Sequence, residues 1–264
     1  MSPTPTRTSP TSGYADVNGL HLYYEDYDEQ HGTTGTPLVL LHGGLLTIDL
    51  NFAGLIPRLA ARHRVIAVEL QGHGRTADTD RTISPANSAS DVVALLDHLG
   101  IDRAHVLGHS MGGAAAMELA VSHPDRVLSV VPISITVGAE GMHADFSNPE
   151  AMATSTRMPT EQDMAAMKEA YTRLSPHPEH FERFLATLSS SAEDLKGWSD
   201  EQLASVRVPV LFVIGDHDFT TIEHAGLMLE KTPDSQLLVL PGTTHMLATH
   251  RVDLLDSALA AFSA

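Results

Sequence analysis

A serine hydroxyl becomes a useful nucleophile only when a base takes its proton and the backbone presents it. Gly108-His109-Ser110-Met111-Gly112 has the composition for the second task. It follows a short apolar run, residues 104–107, and precedes a small-residue segment, 113–122, that stops at His123-Pro124. A strand passing at once into a helix makes a sharp, strained turn that lifts the central hydroxyl above the sheet edge. Side chains beside it would collide, which accounts for glycine at 108 and 112. The helix N-terminus then points its partial positive charge at the place where an oxyanion would form. The backbone N–H of Met111, directly after the serine, is one donor for that oxyanion. A glycine-rich turn with a capping serine is the plainer reading of the pentapeptide alone, and its place between a buried strand and a helix argues against it.

The base and acid should follow later strands, in the order serine, acid, histidine. His245 ends Pro241-Gly242-Thr243-Thr244-His245, a glycine-containing loop after the strand-like run 236–240. Of the sixteen histidines, it is the one placed for this role. The acid is expected after run 208–214, where both Asp216 and Asp218 stand, and spacing alone does not choose between them. The segment after the preceding strand, 132–139, carries no carboxylate. Asp216-His217-Asp218 is also the densest ligand-like cluster, but no H-E-x-x-H pattern occurs and no metal or other cofactor is expected.

These residues need a scaffold that brings loop ends together. Asn18-Gly19 between two β-like runs reads as a hairpin turn. Runs 37–41, 64–70, 104–107, 127–135, 208–214 and 236–240 are apolar and bounded by turn residues. Helical spacing falls between them, at 51–62, 90–99, 113–122, 222–230 and 252–262. Strands apolar on both faces and alternating with helices predict a mostly parallel sheet covered on both sides. Residues 138–205 lack a strand-like run, and amphipathic helices are predicted at 164–174 and 180–188. They read as a helical cap inserted into a core formed by 14–137 and 206–264. Residues 1–13, rich in Ser, Thr and Pro, read as a disordered leader without the apolar stretch of a secretory signal.

Composition narrows the partners. The chain of 264 residues carries a formal charge of −17, with its 16 Lys and Arg scattered, so nucleic acid is not an expected partner. No run approaches the roughly 20 apolar residues of a membrane helix. The absence of cysteine excludes disulfides and a thiolate nucleophile. A cytoplasmic protein acting on a small molecule is expected, and oligomeric state is left open.

From about Tyr14 to Phe262 the chain resembles the α/β-hydrolase family. The resemblance rests on His42-Gly43-Gly44, Gly72-His73-Gly74, the segment 108–112, Gly215-Asp216-His217-Asp218, and His245. It implies an eight-stranded, mostly parallel sheet with flanking helices and a cap. It assigns the acid to Asp218, with Asp216 shaping the loop, and the second oxyanion donor to the Gly44 N–H. Gly72-His73-Gly74 reads as a structural turn. Gly43, Leu45, His109, Met142 and Met246 are expected around the substrate. Serine at 110 excludes the aspartate-nucleophile dehalogenases and epoxide hydrolases of similar fold. Met246 stands where similar hydroxynitrile lyases carry lysine, and Leu45-Leu46 departs from the H-G-G-P-G of proline-type aminopeptidases. The resemblance implies a carboxylesterase, and the easier departure of an alcohol and the size of the cap point to small or medium acyl groups. Lactone, amide or C–C bond hydrolysis, perhydrolysis and a slow-turnover receptor are the alternatives.

Overall fold

The computed structural model describes residues 9–28, 35–146, 148–193 and 197–262. Strand β1 (Thr11–Val17) and β2 (Leu20–Tyr27) form the expected hairpin. Its two turn residues, Asn18 and Gly19, have φ of 49° and 80°, which suits a tight turn that matches strand twist. β1 begins at Thr11, so residues 11–13 of the expected leader are strand instead, paired with β2. Residues 1–8 of that leader lie outside the described residues.

The remaining strands are β3 (Pro37–Leu41), β4 (Arg64–Val68), β5 (Ala104–His109), β6 (Val127–Ile133), β7 (Val210–His217) and β8 (Ser235–Thr244). All eight join one sheet in the order β1-β2-β4-β3-β5-β6-β7-β8. β1 and β2 pair antiparallel, as do β2 and β4, and every other pairing is parallel. Successive strand residues face opposite sides, so Val39 and Leu41 enter one core layer while Leu38 and Leu40 enter the other.

One layer is covered by α1 (Ile48–Phe52), α2 (Ile56–Leu59) and the C-terminal α10 (Val252–Phe262). The other is covered by α3 (Pro85–His98), α4 (Met111–Ser122) and α9 (Ile222–Lys231). The single helix expected at 51–62 is the short pair α1 and α2, interrupted at residues 53–55 around Gly54, with Pro57 in the first turn of α2. Helix α3 starts at Pro85 rather than near Ser90, because the Ser84 side chain caps it by accepting the Asn87 N–H.

Between β6 and β7 the described residues contain helices only: α5 (Pro149–Thr154), α6 (Glu161–Leu174), α7 (Phe181–Glu193) and α8 (Asp200–Ala204), with short 3₁₀ turns. The expected cap boundary at 205 runs too far. Trp198, Leu203 and Val206 are buried in the main core, and the Trp198 indole N–H donates to Glu118 on α4 at 2.8 Å. The segment from Trp198 therefore packs as part of the sheet's helical cover.

Candidate active site

Ser110 occupies the turn between β5 and α4 with φ 51° and ψ −114°, a conformation that costs a non-glycine residue energy. Its surroundings impose it. The Ser110 N–H donates to Ile133 O at 2.8 Å, and the Gly112 N–H donates to His42 O at 3.1 Å. These bonds pull the turn between the ends of β6 and β3. A Cβ on Gly108 would lie 2.0 Å from Gly112 O, and one on Gly112 would lie 2.1 Å from Leu41 O. Glycine is thus required at both positions.

His245 follows β8, and Asp218 follows β7 directly. His245 Nδ1 and Asp218 Oδ1 are 2.8 Å apart. The buried carboxylate of Asp218 also accepts the Ser134 hydroxyl at 2.5 Å and the N–H groups of Gly215 and Phe219 at 3.1 and 2.6 Å. Burial by itself raises this carboxyl's pKa. The bond to and charge of His245, the Ser134 hydroxyl and the Gly215 amide outweigh it and hold the group below the usual carboxylate range. An ionised Asp218 fixes the Nδ1–H tautomer of His245 and leaves the Nε2 lone pair available. The Phe219 ring stacks on His245 with centroids 3.9 Å apart. Among the described residues no hydrogen bond joins Ser110 to His245. Such contacts are often long without substrate and tighten when it binds.

Asp216 has a different task. Its two carboxylate oxygens accept the N–H groups of Gly242 and Thr243, each at 2.9 Å. Those amides hold its pKa down and tie the β7 end to the loop that carries His245. Asp216 and Asp218 thus serve separate donors and do not converge as metal ligands.

The loop after β3 is shaped by three amides in a row. The Gly43 N–H donates to Asn51 Oδ1 at 2.9 Å, and the Leu45 N–H donates to His73 Nε2 at 3.0 Å. Among the described residues the Gly44 N–H between them has no acceptor, as an oxyanion donor requires. Met111 is the first residue of α4, where no earlier turn exists to accept its N–H. His73 thus does more than form a turn. It gives Nδ1–H to Gln71 O at 2.9 Å, and burial holds its pKa well below the ordinary value, so Nε2 stays an acceptor. His42 is similarly neutral. Burial lowers its pKa to about 4, and it accepts the Leu70 N–H while donating to Gly43 O.

The expected pocket residues divide. Leu45, with φ 61°, and Met111 pack against a cap cluster of Tyr171, Phe181 and Phe184, beside Leu185 and Leu188. Met142 is exposed and bridges to Thr220, and Met246 is half-buried. Gly43 is buried against the His109 ring. His109 is fully buried, and its Nε2 donates to His245 O at 3.0 Å. In place of the expected substrate contact, the buried His109 ring supports the loop that carries His245. Sequence reasoning missed Ser134, Asn51 and Arg157. Asn51 links Gly43 to the Thr249 hydroxyl, and Arg157 reaches from the cap to donate to Asp218 O at 3.0 Å. Ser134 directly follows β6, in the segment that carries no carboxylate.

The model of the alpha/beta hydrolase family matches residues 38–257. The chain is 30% identical, over 96% of its length and 69% of the relative's, to the dihydrolipoyllysine-residue acetyltransferase component of the acetoin cleaving system of Pseudomonas putida. It is 26% identical to the 2-hydroxy-6-oxo-6-phenylhexa-2,4-dienoate hydrolase of Burkholderia cepacia, covering 90% of this chain and 91% of that one. A solved N-acyl homoserine lactone degrading enzyme superposes with a TM-score of 0.75 at 28% identity, covering 94% of this chain and 99% of that one. With its sheet order, its strained serine between β5 and α4, and a family match spanning most of its length, the chain belongs to the α/β-hydrolase family.

Proposed function

We propose that this hydrolase cleaves carboxylic esters with small or medium acyl groups through an acyl-enzyme on Ser110. The observation that carries the reading is the Asp218–His245 pair, which leaves Nε2 as the free nitrogen of a buried ring in a structure that also presents Ser110 on a strained turn. His245 Nε2 takes the Ser110 proton as Oγ attacks the ester carbonyl. The Gly44 and Met111 N–H groups receive the oxyanion. As the tetrahedral adduct collapses, the C–O bond to the alcohol breaks and His245 returns the proton to the departing oxygen. Water, deprotonated by the same nitrogen, then releases the acid and restores Ser110.

An ester fits better than an amide because an alcohol leaves with less help from the general acid than an amine does. The half-buried Leu45, Met111, Leu185 and Leu188 offer an apolar wall under the cap for an acyl chain of limited length. Lactone hydrolysis is the second reading. A lactone is an ester closed into a ring, it needs no additional group, and the similarity to the lactone-degrading structure favours it.

The test is a chain-length series of p-nitrophenyl esters, run beside anilides, N-acyl homoserine lactones and a vinylogous diketone substrate for C–C cleavage. Turnover should peak at short or medium acyl chains, with anilides far slower. Rates that climb through the longest chains, equal anilide cleavage, or C–C cleavage exceeding ester turnover would overturn the assignment.

A further inference from the structure

Away from Ser110, a second group of ligating side chains stands on the cap. His177-Pro178-Glu179-His180 makes one 3₁₀ turn immediately before α7. His177, Glu179 and His180 each offer one ligand atom, all within 4.8 Å of one another. Glu179 Oε1 lies 3.8 Å from His177 Nδ1 and 3.7 Å from His180 Nε2. Ligand atoms at about 2.0–2.1 Å from a tetrahedral zinc ion stand about 3.4 Å apart, so the two printed separations need a small contraction, while the His177 ring, stacked on His180 with centroids 4.9 Å apart, must turn about its side-chain bonds to aim a nitrogen at the same ion. The side chains of His177 and Glu179 are exposed and free to make it. Pro178 restricts the turn that displays them.

A separate observation concerns the far side of the His180 ring. Asp78, on the core loop between β4 and α3, lies 3.0 Å from His180 Nδ1 and is mostly buried. A histidine that gives Nδ1–H to a carboxylate has a fixed tautomer and a fixed ring orientation, which is how metal-binding imidazoles are generally supported. Arg183 pairs with the same carboxylate and its Nη2 also lies 3.2 Å from His180 Nδ1, so its positive charge sits on the side of the ring away from Nε2.

We propose that His177, Glu179 and His180 bind one divalent transition ion of the Zn²⁺ class, with water in the remaining positions. Two imidazoles and one carboxylate suit Zn²⁺, Co²⁺ or Ni²⁺ better than Ca²⁺ or Mg²⁺, which favour oxygen ligands. All three ligands stand on the cap turn, so the ion stiffens that turn, and His180 is the ligand through which it adjoins Asp78 of the core. The sequence shows no H-E-x-x-H pattern, and the bracing carboxylate lies 102 residues from His180, so spacing along the chain does not mark this group. Among the described residues the three make no hydrogen bond to Ser110, Asp218 or His245, and the ion is given no step in ester hydrolysis.

The test uses the untagged full chain, stripped with a chelator and titrated calorimetrically with Zn²⁺, with Co²⁺ absorption as a second readout. One ion per chain is expected, and Zn²⁺ should raise the melting temperature. The double variant His177→Ala/Glu179→Gln, altered only at exposed side chains, should keep its fold and lose both effects. Asp78→Asn should weaken binding by about ten-fold or more. Absence of stoichiometric binding, or binding as tight in the double variant through other histidines, overturns the proposal.

Discussion

Ser134 and Asp218, 84 residues apart in the chain, meet where β6 and β7 end: the serine hydroxyl donates to Oδ2 at 2.5 Å. Ser134 itself adopts φ 60°, and its N–H donates to Val213 O at 2.8 Å, so the hydroxyl is held in place from the backbone. Ser134→Ala removes one donor from the carboxylate and lets the Asp218 pKa rise. The acidic limb of kcat/KM should therefore move to higher pH, with activity falling by about ten-fold, as expected for a bond to a charged group. A pH–rate profile checks it, and an unmoved acidic limb would refute it.

Ser110→Ala should abolish ester turnover while leaving the fold unchanged. The hydroxyl is not packed into the core, and loss of the nucleophile costs several orders of magnitude in enzymes that work this way. Kinetics on purified variant, with circular dichroism as control, decide the point. An organophosphonate should label Ser110 in the unaltered protein and no other serine.

Asp218→Asn and Asp216→Asn should differ sharply. An amide at 218 can neither hold the His245 tautomer nor stabilise its charged form, and turnover should fall by about four orders of magnitude. At 216 an amide oxygen can still accept one of the two loop N–H groups, so the loss should be far smaller. Steady-state rates of both variants give the ranking, and the reverse order would move the acid to Asp216.

Stability should drop as pH falls below about 6.5. His42 and His73 are buried and neutral, and burial depresses the pKa of both in the folded state, to about 4 for His42. Between that value and the unfolded value near 6.5, the unfolded chain binds more protons, so acidification favours unfolding. Each such histidine contributes up to about 1.4 kcal/mol per pH unit in that window. Urea unfolding at pH 7 and pH 5 measures it. Equal stability at both would mean these rings are protonated in the fold.

Ester hydrolysis should survive removal of metal, because the proposed base is His245 and the acid is Asp218. Dialysis against a chelator should leave kcat unchanged at assay temperature, while lowering the melting temperature if an ion occupied the cap turn. Loss of kcat on chelation, restored by a divalent ion, would contradict the mechanism.

The amino-acid sequence by itself determined the features whose causes are local. The strand-turn-helix around Ser110 follows from Gly108 and Gly112, whose neighbours leave no space for a Cβ. The hairpin at Asn18-Gly19, the alternation of apolar runs with helices, and the helical stretch between β6 and β7 are likewise written in short-range pattern. What depended on the docking of distant strand ends was not legible. Both aspartates end β7, and a register shift between Gly215 and His217 turns Asp216 towards the Gly242 amide while Asp218 turns inward to His245. Ser134 could not be recognised as a partner of Asp218, because a serine after β6 has no local mark of its use. His73 looked like a turn residue until the β3 and β4 loops were set side by side, where its Nε2 takes the Leu45 N–H and leaves that of Gly44 unused. Hydrogen bonds between loops depend on direction and on distances of a few tenths of an ångström. Those are properties of packed strands, and spacing along the chain does not contain them.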